Sequence, residues 1–306
     1  MVIEQIRKWR ESRIKQWPVR SNRASELGHE CLRYLILNRT RWQEKTLHDA
    51  RLQSIFDEGN MHEKEVIRVL VASGLNIAEQ QRAFEWKEYQ ITGYIDLKLL
   101  LDSEQLEFLK PQRGVVPTEI KSMSPFVFDK VDDIEDMVKG KYPYLRRYPS
   151  QLNLYLLMDG KEWGLFLLKN KVTGELKEVW MQLDYDLGES LLKKAEAINT
   201  HVANDTLPEP MPYDENTCKD CGYIHICLPD IKRDALQFTV DPDMESKIDH
   251  WFELDSARKE YADLDKYIKD SFRDKEKIIV GPYLITGKPI GDNKGWKTKI
   301  QRLEGI

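Results

Sequence analysis

The chain has 306 residues, 41 % of them apolar and 32 % charged, with a formal net charge of −5. That length allows one large domain or two modest ones with a sizeable core. The longest apolar run, near Val66–Ala72, is too short to span a bilayer, so a membrane helix is excluded. The first residues, MVIEQIRKWR, hold no apolar leader, and a soluble cytoplasmic protein is expected. The charge is segregated along the chain. Residues 1–23 carry seven Lys or Arg against Glu4 and Glu11, residues 139–147 add four more with no acid, and 241–276 run acidic.

Ile3, Ile6, Trp9, Ile14 and Trp17 predict an amphipathic helix over 3–17. Ser25 predicts the cap of a second helix carrying Cys31, Tyr34 and Leu35. A long helical pattern covers 47–73 and stops at Gly74. Residues 76–101 then alternate and predict an antiparallel meander, and a short strand follows through Thr118–Lys121. Helices are predicted at 130–139 and 144–158, strands at 162–169 and 175–183, and a helix at 186–204 that ends before Pro208. An irregular loop holds the clustered cysteines. Beyond 240 the spacing of Trp251, Leu254, Tyr261, Leu264, Ile268 and Phe272 predicts a charged helix packed on the domain, then two strands, Ile278–Ile285 and Trp296–Leu303, joined by a Gly-rich turn. Lys288, Lys294, Lys297, Lys299 and Arg302 make this tail basic, an added DNA- or partner-binding element. Domains are expected at 1–240 and 241–306. Gly287–Lys294 resembles a phosphate loop but lacks Gly-Lys-Ser/Thr, so no nucleotide motor is indicated.

Cys31 stands alone, whereas Cys218, Cys221 and Cys227 follow C-x2-C-x5-C spacing. Four thiolates hold either zinc or an iron–sulfur cluster, and disulfides require an oxidising compartment. His225 offers an imidazole in place of one thiolate. Asp96 and Glu119 fall on neighbouring predicted strands, where two carboxylates can grip a hard divalent cation. Strand alternation puts Lys121 on the Glu119 face, beside any phosphate bound there. His62, in Gly59-Asn60-Met61-His62-Glu63, offers another ligand from the preceding helix. Gln151 and Tyr155, four apart, share one helix face. Arg146, Arg147 and Tyr148 precede that face with groups suited to phosphates and exposed bases.

Taken in order, His62, Asp96, Glu119-Ile120-Lys121 and Gln151-x3-Tyr155, bracketed by cysteines, resemble the PD-(D/E)XK nuclease superfamily. More narrowly they resemble its RecB-like branch with an iron–sulfur cluster: the CRISPR-associated iron–sulfur exonucleases, the AddB nuclease domain and exonuclease V. The resemblance covers residues 20–230 or so, and Asp96 sits in Tyr-Ile-Asp where the superfamily's leading Pro-Asp is expected. It implies an α/β restriction-endonuclease-like core with a central mixed sheet flanked by helices. It implies that His62, Asp96, Glu119 and the Ile120 carbonyl hold Mg²⁺ or Mn²⁺, that Lys121 is catalytic, and that Gln151 and Tyr155 support the lysine and contact DNA. Cys31, Cys218, Cys221 and Cys227 become ligands of a [4Fe–4S] cluster, ahead of zinc. The expected activity is a metal-dependent DNA exonuclease acting on single strands or ends, in recombination, repair, phage DNA processing or CRISPR adaptation. A helicase, a recombinase or a CRISPR adaptation protein is the expected partner. The rivals are a non-catalytic DNA-binding module and a structure-specific endonuclease.

Overall fold

A computed structural model describes residues 1–102, 104, 106–228, 242–291 and 295–303. The chain divides into two units, Met1–Leu236 and Gln237–Ile306. The expected domain boundary at 240 and residues 292–294 of the Gly-rich turn, Lys294 among them, lie outside the described residues.

In the first unit, α1 (Val2–Arg13) leads to a two-residue strand β1 (Asn22–Arg23), α2 (Ala24–Leu27) and α3 (Leu32–Thr40). Helix α4 (Ala50–Ala72) begins where Asp49 accepts from the Leu52 amide, a cap that satisfies one of the free N-terminal donors. Strands β2 (Asn76–Trp86) and β3 (Ile91–Leu100) form the expected antiparallel pair, and β4 (Val115–Met123) follows. Then come α5 (Pro125–Phe128), α6 (Ile134–Val138), α7 (Pro143–Asp159), the hairpin β5 (Trp163–Asn170) and β6 (Leu176–Gln182), and α8 (Tyr185–Ala203).

These strands build one mixed sheet in the order β1-β3-β4-β5-β6, with β2 along the other edge of β3. The β1–β3 and β4–β5 pairs are parallel and the rest antiparallel. Helices cover both faces. Val66 and Leu70 of α4 pack on Leu97, Leu99, Val116, Ile120, Leu165 and Leu167. On the opposite face Leu154 and Tyr155 of α7, with Leu191 and Ile198 of α8, pack on Ile91 and Ile95. Leu152 and Leu156 of α7 cover Met123, Phe166 and Leu168. The result is the expected α/β arrangement of a central mixed sheet between helices.

Because β2 takes one edge of β3, β1 and β4 must share the other. β1 pairs at Ile91 and Thr92, and β4 pairs from Leu97 to Leu100. Residues 93–96 therefore have no strand beside them on that edge. Across the sheet, Gln81 lies between the partners of Ile95 and Leu97 and has a φ of +47°. That left-handed conformation in a non-glycine residue is a local kink opposite Asp96.

Several expectations give way here. Helix α1 stops at Arg13, short of 17, because Ile14 is extended ahead of Pro18, and none of its side chains is buried. Cys31 is not inside a helix. Gly28 closes α2, where a Cβ would come within 2.8 Å of Ser150, and Cys31 is the N-cap of α3, its Sγ accepting from the Tyr34 amide at 3.4 Å. The helix expected over 130–139 is confined to α6, started by a reciprocal Asp133–Asp136 capping box. The cysteine loop contains two single turns, α9 (Glu215–Cys218) and α10 (Ile224–Cys227).

The second unit holds α11 (Pro242–Ser271) and a three-stranded antiparallel sheet, β7 (Lys277–Val280), β8 (Tyr283–Ile290) and β9 (Gly295–Arg302). The strand expected over 278–285 is split by a turn at Gly281-Pro282. Gly281 has a φ of +56°, and proline removes a ladder donor. Trp251, Leu254, Tyr261 and Leu264, the stripe expected to be packed, are exposed.

Gly93 starts the unpaired stretch of β3, and a Cβ there would meet the Tyr155 hydroxyl at 2.6 Å and the Ala24 Cβ at 3.0 Å. Gly93→Ala should cost about 1–3 kcal/mol of stability through overpacking, read by urea denaturation. A variant as stable as wild type would show that this contact yields freely.

Candidate active site

The gap in β3 is filled by side chains. Asp96 Oδ2 accepts the Ile120 amide at 2.8 Å, taking a donor of β4 just beyond the point where the ladder ends. The Tyr155 hydroxyl donates to the Tyr94 carbonyl at 3.0 Å, and Gln151 Nε2 donates to that hydroxyl at 3.4 Å. Tyr155 is 1 % exposed and stacks on Phe84. Gln151 and Tyr155 thus brace the strand that carries Asp96, and both are buried, so neither offers a surface to a DNA strand.

Alternation along β4 turns Glu119 and Lys121 toward α7, away from Ile120. Glu119 is 0 % exposed. Its Oε2 accepts from Lys121 Nζ at 2.5 Å, and its Oε1 is buried with no hydrogen-bond partner among the described residues. Burial pushes the Glu119 carboxyl up to about 8; Lys121 opposes this and the Asp96 charge adds to it. Burial lowers the Lys121 pKa, but Glu119 and Asp96 outweigh it and hold the ammonium above its ordinary range. That ammonium also sits 5.1 Å from the centre of the Tyr148 ring, a cation–π contact.

Sequence reasoning missed Glu63. Burial and the Asp96 charge raise its pKa, while a hydrogen bond from Gln81 and the Lys121 charge lower it. Gln81 Nε2 donates to Glu63 Oε1 at 2.8 Å, so the kinked residue opposite Asp96 also tethers this carboxylate. The signal was present: Glu63, Val66 and Leu70 lie at i, i+3 and i+7, and the latter two are buried on the sheet. His62 is one residue off that stripe. It is half-buried, its pKa is lowered by burial and by Lys169 and Lys171, and Glu58 and Glu65 oppose the shift.

The basic residues expected to meet DNA divide. Arg146 is bound to Glu30 at 2.7 Å and to the Gly140 and Lys141 carbonyls. Arg147 is half-buried, and burial lowers its pKa against the opposing charges of Tyr34, Glu26 and Glu30.

Among the described residues, no three His, Cys, Asp or Glu side chains form a group that could hold a metal ion as they stand. The chemistry around Glu119 nevertheless fits a hard divalent cation. Oxygen donors predominate, the Asp96 charge raises the pKa of Glu119 and of Glu63, and one buried carboxylate oxygen lacks any partner.

Elsewhere in the unit, Cys31, Cys218, Cys221 and Cys227 line one hollow that opens to solvent, walled also by Pro210, Met211 and Ile224. All four thiols are free. Burial raises the Cys31 pKa and pushes Cys221 up to about 11, with the other thiols adding to both shifts. The Cys31 amide donates to His29 Nδ1 at 3.0 Å, which fixes the loop ahead of that sulfur. His225 Nδ1 is buried and has no partner among the described residues.

A carboxyl with a raised folded-state pKa favours folding while protonated, and that stability is lost as pH rises from the ordinary carboxylate range through about 8. In chelator, the melting temperature of Glu119→Gln minus that of wild type should therefore increase by roughly 3 °C or more between about pH 5 and about pH 8.5. A difference that stays flat with pH would place the Glu119 titration elsewhere.

No family model matches the chain, and no curated protein does. Solved structures similar to it include that of SSO0001, at 17 % identity over 78 % of this chain and 98 % of that one, with a TM-score of 0.43. They also include the alkaline exonuclease LHK-Exo from Laribacter hongkongensis, at 13 % identity over 65 % of this chain and 93 % of that one, with a TM-score of 0.39. The same exonuclease in complex with dAMP matches at 12 % identity over the same shares, again with a TM-score of 0.39. With these TM-scores below 0.5, the functional reading rests on the geometry of the site itself.

Proposed function

We propose that the chain is a divalent-metal-dependent nuclease that hydrolyses phosphodiester bonds in DNA, acting as an exonuclease on single strands or ends. The observation that carries this reading is the buried Glu119 carboxylate, with one oxygen on the Lys121 ammonium and the other bare, beside Asp96 at a break in the sheet. The motif order that resembles RecB-like nucleases, which draws on the same residues, agrees with it.

Asp96, Glu119 and the Ile120 carbonyl would hold Mg²⁺ or Mn²⁺, joined from α4 by His62 or, nearer Asp96, by Glu63. Such an ion supplies Lewis acidity toward a phosphoryl oxygen and lowers the pKa of water. The protein's own part is positional. Glu119 and the Tyr148 ring hold the Lys121 ammonium where it orients an attacking water and offsets charge developing on the phosphate. Water adds in line to phosphorus, the bond to the leaving sugar oxygen breaks, and that oxygen takes a proton. Tyr155, through the Tyr94 carbonyl, keeps the Asp96 strand from closing on β4.

The test is digestion of single-stranded DNA labelled at its 5′ or 3′ end, with Mn²⁺, Mg²⁺ or chelator, beside Lys121→Ala. Metal-dependent loss by wild type, and at least about a hundredfold less by the variant, is expected. Equal cutting by Lys121→Ala would remove the lysine from catalysis, and binding without any cutting would leave a DNA-binding module. Circular single strands should survive; their cleavage would make the enzyme an endonuclease.

The cysteine hollow is read as a [4Fe–4S] site that ties α3 to the segment after α8 and takes no part in hydrolysis. Anaerobically purified protein should be brown, with about four irons per chain. Colourless protein with stoichiometric zinc would overturn the iron assignment.

A further inference from the structure

The register of the small sheet in the second unit places four lysines on one face. Lys277 pairs with Thr286, which pairs with Lys299, and Lys288 pairs with Lys297. Side chains directly opposite one another share a face, and so do those two apart on a strand. Lys277, Lys288, Lys297 and Lys299 therefore project from the same side, with Thr286 and Gln301 among them and the aliphatic Ile279, Leu284 and Ile290 beside them. The other side carries Ile285, which is buried, and Trp296, which covers Gly287. All four lysines are exposed.

Three features set this face apart from an ordinary solvated surface. Strands β7, β8 and β9 contain no Asp or Glu, although the chain as a whole is acidic. None of the four lysines has an ion-pair partner among the described residues, while Lys259 and Lys269 on α11 are paired with Asp255 and Asp265. Finally, Lys288 and Lys297 stand directly across from each other, a like-charge cross-strand pair that weakens a sheet. A three-stranded sheet with so small a core gains nothing from that repulsion, and an external anion that bridges the row relieves it.

We propose that this face binds the phosphate backbone of a DNA strand, independently of base sequence. Lys297 and Lys299 lie about 7 Å apart along β9, Lys288 faces Lys297 at about 5 Å, and Lys277 stands two strands, about 10 Å, from Lys299, a row of cations suited to a repeating polyanion. The choice of DNA as the polyanion rests on the nuclease reading above. The face has no aromatic side chain, so it holds the strand by charge and does not read bases.

The test uses the full chain in chelator, with a fluorescein-labelled oligothymidylate followed by anisotropy across a salt series. Wild type is compared with a variant carrying Lys277→Gln, Lys288→Gln, Lys297→Gln and Lys299→Gln. Each phosphate contact contributes about 0.7 to the slope of log affinity against log salt for a single strand. The variant should bind at least about tenfold more weakly near 0.15 M salt, with a slope shallower by about 2–3. A second variant with Lys→Arg at the same four positions should keep wild-type affinity, and the Gln variant should melt no lower than wild type. Unchanged affinity and slope in the Gln variant would overturn the proposal. So would lysine-dependent binding to phosphatidylserine vesicles with none to the oligonucleotide. End-label digestion is run on the same samples. Lysine-dependent binding by a wild type that cuts nothing refutes the nuclease reading alone, and cutting by a wild type whose binding ignores the lysines refutes this proposal alone.

Discussion

The candidate site depends on the interruption of the β3–β4 ladder at Asp96. An antiparallel pair that continued past Leu97 and Thr118 would set Asp96 opposite Glu119, with backbone bonds filling the space between them. Instead the ladder ends, the Asp96 carboxylate takes the Ile120 amide, and the Tyr155 hydroxyl takes the Tyr94 carbonyl. Buried backbone groups must be paired, so this opening exists only because two side chains replace the missing strand contacts. Gly93 leaves room for one of them, and the kink at Gln81 bends the strand behind the other.

That opening explains the charges placed around it. A fully buried carboxylate is costly unless it is paired and hydrogen-bonded, and Glu119 is paired through one oxygen only. Replacing Glu119 and Lys121 with apolar residues would fill the same space without this cost, as buried ion pairs generally permit. The arrangement stores unsatisfied negative potential beside a fixed ammonium. A cation would satisfy the first, and a phosphate would meet the second. The same economy accounts for Glu63, a third acid held toward Asp96 by Gln81 where an apolar residue would continue the stripe of Val66 and Leu70.

The sheet was legible where polarity alternates cleanly: β2 with β3, and β5 with β6, arise as their patterns predict, and α8 ends ahead of its prolines. Asp96, Glu119 and Lys121 were legible as types on neighbouring strands, since a two-residue period fixes their faces. The break between those strands was not legible, because it depends on Tyr155 reaching a carbonyl 61 residues away in sequence. Tyr148 was read as a base-stacking residue, yet its ring lies against the Lys121 ammonium, a tertiary contact that no local period encodes. Ser25 as a cap puts Cys31 inside a helix, whereas Ser25 lies within α2, which ends at Gly28 where Ser150 approaches closely, and Cys31 caps α3. At Gly281-Pro282 the turn signal was local and explicit, and the run of β-formers on both sides masked it.

The first unit and the small sheet of the second place their cations differently. In the first, cations are spent on defined acids: Lys121 on Glu119, Arg146 on Glu30, and the nearly buried Lys98 on Asp159 and Glu79. Such pairs fix geometry, because a buried charge tolerates few positions. In the sheet of the second unit, four lysines stay exposed and, among the described residues, unpaired on one face, where geometry matters little and summed potential matters most. A site that must align a water with a phosphorus atom needs the first kind of charge. A surface that must keep a long polyanion nearby, without regard to its sequence or phase, needs the second.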